Sequence, residues 1–348
     1  MESLNLTLYA FVFILSLISS AMLVPVLREV AFKYSIIDIP NQAHKTHQGG
    51  IPYLGGLAII IPVSFCLLTG MFVLTQNSEQ RVVLMLTLFS SLVLAIMGLI
   101  DDVNNLNVMP RLIIQLLVSS TIAVLMFDLG YNVTLSESKI VNFLISIFWL
   151  IGITNAFNFF DNLDGGVAGI SVISSLTVSV LASLTNQHLI ALLSLSIAGA
   201  CFGFLMWNKT PAKIFLGDSG ALFIGFLLAL LLLQFQPEID STISSGLFPL
   251  FILALPIIDT CVAVISRLKK GSAIYSGGRD HLSHRLLALG LNKRKTVLFL
   301  WGLACLFSTL AILVNYCEGN AELWIALFGL LFMVVCIFSF LKIENVGT

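Results

Sequence analysis

Charge is what this chain has least of. Lys, Arg, Asp and Glu make up 10% of its 348 residues and apolar side chains 58%, whereas a soluble domain carries about 25% charged residues. A mean hydropathy of +1.03 therefore excludes a soluble globular protein and points to an all-α, polytopic membrane protein. Cysteine is scarce as well: the six (Cys66, Cys201, Cys261, Cys305, Cys317 and Cys336) are scattered, and no pair has metal-ligand spacing or suggests a disulfide. No Lys or Arg precedes Arg28, and no short apolar core ends in a small-residue cleavage site. The first apolar run is thus expected to be a retained span. No soluble domain, low-complexity linker or fixed-period repeat interrupts the chain, which reads as one domain over 1–348, and no nucleic-acid partner is expected.

What the chain does have is apolar runs long enough to cross a bilayer. A hydrocarbon core of ~30 Å needs about 20 residues per helix, and eleven such runs lie near 5–27, 54–75, 82–100, 111–127, 140–157, 167–185, 189–207, 219–236, 246–266, 296–316 and 322–341. The sixth and seventh are separated only by Asn186-Gln187-His188, so the range is ten to eleven. With the N-terminus outside, 15 of the 17 Lys and Arg fall inside and only Arg81 and Lys139 outside. Basic residues stay on the cytoplasmic side, which predicts N-terminus out and C-terminus in. The formal net charge of −1 hides this gradient, and a basic inner face suits anionic headgroups and phosphorylated substrates.

The few polar clusters all fall on that inner face. Asp101-Asp102 closes the third span, where a helix C-terminus repels negative charge and a bound cation would relieve the penalty. Acids in or beside a span default to a working site. Asn155-Ala-Phe-Asn158-Phe-Phe-Asp161-Asn-Leu-Asp164-Gly165-Gly166 follows the fifth span, and the three-residue spacing of Asp161 and Asp164 puts both on one face of any helical turn. Asp164 is also placed to cap the sixth span. Phe215-Leu-Gly217-Asp218-Ser219-Gly220 opens the eighth span, where backbone N–H groups bind anions and where Asp218 or Ser219 could cap. Asp259 is a further buried acid in the ninth span, for which a packing hydrogen bond weighs as much as a site role. The longest polar stretch, 267–295, holds Arg279, Asp280, His281, His284 and Arg285. Loops of that length are usually functional, and this one reads as a cytoplasmic, substrate-facing loop. Its two histidines lack the Glu and third ligand of a zinc site, so Arg and His here point to phosphate. His44-Lys45-Thr46-His47 in the first loop forms a second basic patch, read either as a phosphate contact or as a lipid anchor. Hard oxygen ligands without cysteine favour Mg²⁺, with Mn²⁺ as a substitute. The ensemble suggests phosphoryl chemistry.

In order along the chain, Asp38-Ile-Pro40 with Lys45, His47 and Gly55-Gly56, then Gly98-Leu-Ile-Asp101-Asp102, Asn155 to Gly165, Phe215 to Gly220, and His281-Leu-Ser-His284-Arg285 resemble the polyprenyl-phosphate N-acetylhexosamine-1-phosphate transferases. That family includes the undecaprenyl-phosphate GlcNAc-1-phosphate transferases and the phospho-MurNAc-pentapeptide translocases. The resemblance implies attack of a polyprenyl phosphate on the sugar-proximal phosphate of a UDP-sugar, giving a polyprenyl-diphospho-sugar and UMP. It implies catalytic roles for Asp101, Asp102, Asp161, Asp218 and His281, and Mg²⁺ on Asp218 and Asp102. Substrate contacts are implied for Lys45, His47, Asn158, Asp164, Asn208, Phe215, Arg279, His284 and Arg285, with Phe215 stacking on uracil. It further implies a multi-pass protein of the bacterial cytoplasmic (inner) membrane, with homodimerisation left open. Ser283 stands where the GlcNAc branch has a histidine, and His44-Lys45 where the family often has Arg-Lys. UDP-GlcNAc is the expected donor, with other UDP-N-acetylhexosamines and UDP-MurNAc-pentapeptide as alternatives. A secondary transporter of an anionic solute is the non-enzyme reading, disfavoured because the clusters sit at one face and not at the midplane.

Overall fold

The structure is a computed structural model that describes residues 2–38, 50–75, 77–133, 135–239, 241–274 and 278–343. Lys45 and His47, and His44 with them, lie outside the described residues. Thirteen α-helices are described: α1 (Glu2–Lys33), α2 (Leu57–Thr69), α3 (Ser78–Asn104), α4 (Val108–Asp128), α5 (Lys139–Phe160), α6 (Gly166–Leu184), α7 (His188–Asn208), α8 (Gly217–Gln234), α9 (Thr242–Ile252), α10 (Ala254–Lys269), α11 (Leu282–Ala288), α12 (Lys293–Tyr316) and α13 (Asn320–Lys342). A two-residue antiparallel ladder pairs β1 (Ile37–Asp38) with β2 (Ile51–Pro52). Among the described residues ten helical segments can each cross a membrane, and α9 with α10 makes an eleventh if counted as one span. The protein is an all-α, multi-pass membrane protein.

Helix α8 is the axis. After Asp218 it carries no charge, and it is buried along nearly its whole length, as expected of a helix apolar all round. Small residues let its neighbours come close. A Cβ on Gly98 of α3 would lie 2.6 Å from the Asp218 carbonyl carbon, one on Gly56 would lie 2.4 Å from the Gly220 nitrogen, and one on Gly225 would lie 2.8 Å from Phe157 Cβ. These contacts draw the ends of α3, α5 and α8 into one place. A similar seam joins α1 and α7 in parallel, where Gly199 meets Phe13, Gly203 meets Leu17, and Trp207 Nε1 donates to the Ala21 carbonyl (3.1 Å). Small residues four apart are a common way to pack membrane helices.

The ninth expected span, 246–266, is not one helix. It breaks at Leu253, and α9 and α10 meet at 82°. Pro256 has no N–H to give the Ile252 carbonyl, and its ring crowds that carbonyl. Ser174 Oγ of α6 donates to it instead (2.8 Å), the kind of substitution an apolar environment demands. The expected 267–295 loop is shorter than the sequence suggests, because α10 runs to Lys269, α12 begins at Lys293 and α11 lies between.

Candidate active site

The polar ends of α3, α4, α5, α6, α7, α8 and α10 all open toward one face. Asp102 sends its two oxygens to the start of α8, accepting from the N–H groups of Asp218 (2.8 Å) and Ser219 (3.2 Å). These are orphan donors of a helix N-terminus, so the anion that occupies them is a carboxylate of the protein and not phosphate. The cap also comes from another helix, in place of the expected Asp218 or Ser219. Gly217 is required here: its φ is +75°, and a Cβ would sit 2.6 Å from Asp102 Oδ2, so any side chain is both strained and in collision.

With the cap supplied by Asp102, the Asp218 side chain faces the pocket. Oδ1 accepts from Asn158 Nδ2 (2.8 Å), and Oδ2 lies 3.3 Å from Arg111. The same guanidinium meets Asp101 Oδ2 at 2.5 Å and donates to Asn158 Oδ1 (3.3 Å). Asp101, 6% exposed, uses its other oxygen on the Leu106 N–H (2.7 Å). It therefore positions Arg111 and the chain reversal after α3. Arg111 is a site residue that the sequence reading passed over, counting it only among the cytoplasmic charges. Its position, ten residues after Asp101 at the start of the next span, was the available signal.

Asp161 ends α5, half-buried, and no described group donates to its side chain. Burial first, then the charges of Asp102 and Asp164, push its carboxyl up to about 7. Asp164 accepts from the Ala212 N–H (3.2 Å), and α6 is capped by Gly165 instead. Asn208 is buried and has both ends of its amide in use, accepting from the Gly165 N–H and donating to the Ile214 carbonyl (both 2.9 Å). It fastens two pocket loops together. Phe215 packs its ring 6.2 Å from that of Tyr53. Burial, then a hydrogen bond with the buried Asp38, raises the Tyr53 hydroxyl above its usual range.

The basic loop behaves differently from expectation. His281 Nδ1 pairs with Asp259 (2.7 Å), and Nε2 pairs with Arg267 (3.2 Å). A guanidinium only donates, so Nε2 accepts and the proton sits on Nδ1. His281 is thus held at both ring nitrogens, an arrangement suited to a positioning role. Asp259 also accepts the Leu282 N–H (2.7 Å), the kind of contact expected of a packing acid. Arg285 is engaged within the protein. Its guanidinium is buried and donates to the carbonyls of Asp280, Phe340 and Ile343 and to Ser266 Oγ, so it holds the end of α13. Ser283 donates to Asn162 Oδ1 and ties this loop to the Asp161–Asp164 segment. Arg279 is exposed. His284 has an Nδ1 with no hydrogen-bond partner, and burial lowers its imidazole to about 4, leaving it neutral at pH 7.

The pocket thus gathers five carboxylates, Asp101, Asp102, Asp161, Asp164 and Asp218, of which Asp101 and Asp218 share the Arg111 guanidinium. Among the described residues no three acidic, His or Cys groups converge as a finished cage. The donor set is nonetheless all hard oxygen, each Asp102 oxygen keeps a second lone pair, and Asp161 lacks an internal donor. This chemistry fits a divalent cation of the Mg²⁺ type. A cavity of about 740 Å³ runs between α5 and the α9–α10 break, lined by Phe148, Trp149, Pro249, Ile257 and others, none of them a pocket acid. It reaches Ala156, two residues from Asn158.

The raised Asp161 carboxyl has a sign that can be checked. The folded state binds this proton more tightly than the unfolded chain, so the group's contribution to stability is present at low pH and falls as pH rises toward about 7. His284, lowered to about 4, works the other way below pH 6.5. Between pH 6.5 and 7.5, thermal midpoints in EDTA are therefore expected to fall with rising pH, and Asp161→Asn is expected to flatten the slope. An unchanged slope in that variant would remove Asp161 as the source.

A bundle of apolar helices whose polar ends meet in one acid-rich pocket defines a membrane-embedded enzyme with its site at one face. Residues 83–236 match the model of glycosyl transferase family 4. The chain is 32% identical over 330 residues to a probable undecaprenyl-phosphate N-acetylglucosaminyl 1-phosphate transferase of Bacillus subtilis (strain 168), covering 93% of this chain and 88% of that protein. It is 29% identical over 332 residues to a phospho-N-acetylmuramoyl-pentapeptide-transferase of Halalkalibacterium halodurans (90% and 96% covered). It is 30% identical over 309 residues to a decaprenyl-phosphate N-acetylglucosaminephosphotransferase of Mycolicibacterium smegmatis (79% and 74%). The chain belongs to glycosyl transferase family 4 and is a transferase.

Proposed function

We propose that the protein transfers an N-acetylhexosamine-1-phosphate, GlcNAc-1-phosphate first among them, from a UDP-sugar to undecaprenyl phosphate and releases UMP. The observation that carries this is the similarity to the Bacillus subtilis protein across 93% of the chain, which spans every pocket residue described above. A lipid phosphate oxygen forms the new bond to the sugar-proximal phosphorus, and the bond from that phosphorus to the bridging oxygen breaks, UMP leaving with the oxygen. Asp101 holds Arg111 where it can meet the lipid phosphate. Asp161, poised near neutrality, takes up a proton from that phosphate. Asp218 and Asp102 would hold Mg²⁺, or Mn²⁺ in its place, which supplies charge neutralisation of the pyrophosphate when bound. Phe215 stacks on uracil, with Asp164 and Asn208 shaping that side, while Arg279 and His284 border the phosphates. The apolar cavity along α5 and the α9–α10 break suits the lipid chain. The basic residues on the pocket face support a bacterial cytoplasmic-membrane location with the pocket inside.

The test is Mg²⁺-dependent UMP release by detergent-purified protein given undecaprenyl phosphate and UDP-GlcNAc. Release that needs both substrates supports the proposal. Release only with UDP-MurNAc-pentapeptide would move the enzyme to the branch represented by the Halalkalibacterium halodurans relative, and release only with another UDP-N-acetylhexosamine would change the donor alone. No turnover with any UDP-sugar, together with solute uptake by proteoliposomes, would replace the transferase reading by a carrier.

A further inference from the structure

We infer that the inner ends of α1 and α7 form a binding site for the headgroup of an anionic phospholipid, built on Trp207 with Arg28 and Lys213. The indole is fixed at one edge, where Nε1 donates to the Ala21 carbonyl (3.1 Å). The guanidinium carbon of Arg28 lies 6.0 Å from the ring centroid, and the Lys213 ammonium lies 5.3 Å from it. The Lys213 backbone is held to the same residue, its N–H donating to the Trp207 carbonyl (2.9 Å). Two cations share one neutral ring, and among the described residues neither has a carboxylate within ion-pair distance. Arg28 Nε is buried without an acceptor. A ring quadrupole attracts each cation but does not cancel their mutual repulsion. An anion bound by both side chains would cancel it.

The surroundings favour a lipid over a free phosphate. Near the clamp in sequence, Val26 and Val30 on α1 and Phe202 and Met206 on α7 are exposed apolar side chains. Acyl chains could lie along this band while the phosphate sits at the cations, the arrangement expected where a basic cluster ends a membrane helix. The clamp is also joined to the pocket. Lys213 follows Ala212, whose N–H donates to Asp164 (3.2 Å), so a headgroup that fixes Lys213 steadies the segment that orients Asp164. This site is separate from the proposed substrate positions and does not depend on which sugar is transferred.

The test uses the full-length protein in nanodiscs of phosphatidylcholine alone or with phosphatidylglycerol, reading the thermal midpoint and, by native mass spectrometry, the lipid retained. Phosphatidylglycerol is expected to raise the midpoint of the parent protein and to remain bound. Lys213→Ala, at an exposed position, and Arg28→Gln are each expected to weaken retention about fivefold. The pair together should abolish the phosphatidylglycerol-dependent rise while leaving the midpoint in phosphatidylcholine unchanged. An equal rise in the double variant overturns the proposal. So does displacement of the retained lipid by millimolar inorganic phosphate or UMP, which would make the clamp a site for a soluble phosphate.

Discussion

Replacing Asp218 by Asn is expected to reduce UMP release by about three orders of magnitude while leaving the protein folded. The two halves of that expectation have separate causes. Asp218 gives its backbone N–H to Asp102, so the start of α8 stays capped when the side chain changes. Its carboxylate instead faces the pocket, held from one side by Asn158 (2.8 Å) and from the other by Arg111 (3.3 Å). An amide of the same shape keeps one acceptor and removes the charge. Loss of one such preorganised electrostatic group costs roughly 10²- to 10³-fold in turnover, and a group proposed also to hold a metal belongs at the upper end. Asp102→Ala is expected to behave differently, because it uncaps α8. It should lose about 1–2 kcal/mol of stability in addition to activity. Measuring kcat and thermal midpoint for both variants separates a chemical role from a capping one. Equal loss of stability in the two would contradict the division of labour between these acids.

That division was only half legible in the sequence. In a chain with 10% charge, an acid beside a span stands out without any knowledge of its partners, which is why Asp101, Asp102, Asp161, Asp164 and Asp218 could be found by inspection. The spans were legible for a related reason: an apolar run of about 20 residues has few other uses. What each polar group touches depends on residues far away in the chain. Asp102 caps a helix that starts 115 residues later, and Arg285 reaches carbonyls 55 and 58 residues on. No local pattern announces either contact. Arg111 was passed over because a single Arg at the inner end of a span is the ordinary signature of topology, and only the fold shows that it bridges Asp101 and Asp218. The break at Leu253 was hidden by the run 246–266, whose hydropathy is that of a span, since membrane helices tolerate proline where a neighbour can satisfy the freed carbonyl. Ser174 does so from α6, and nothing near Pro256 in sequence predicts it.

Arg285→Ala is the variant for which the sequence reading and the structure forecast opposite results. As a substrate contact, Arg285 would raise KM for the UDP-sugar when lost and leave stability alone. In the structure it is 3% exposed and donates to three carbonyls and one hydroxyl, two of the carbonyls at the end of α13. Each buried polar group left without a partner costs about 1–3 kcal/mol. Because water can reach part of the vacated space, a total loss of about 3 kcal/mol is expected, seen as a fall of roughly 4 °C in thermal midpoint for a chain of 348 residues, with KM in the surviving folded enzyme unchanged. Arg285→Lys is expected to recover little, since one ammonium cannot reproduce a planar fork that spans several acceptors. A large rise in KM with an unchanged midpoint would mean that Arg285 leaves α13 to meet substrate. The α11 loop would then work in a second arrangement, with the carbonyls of Phe340 and Ile343 finding other donors.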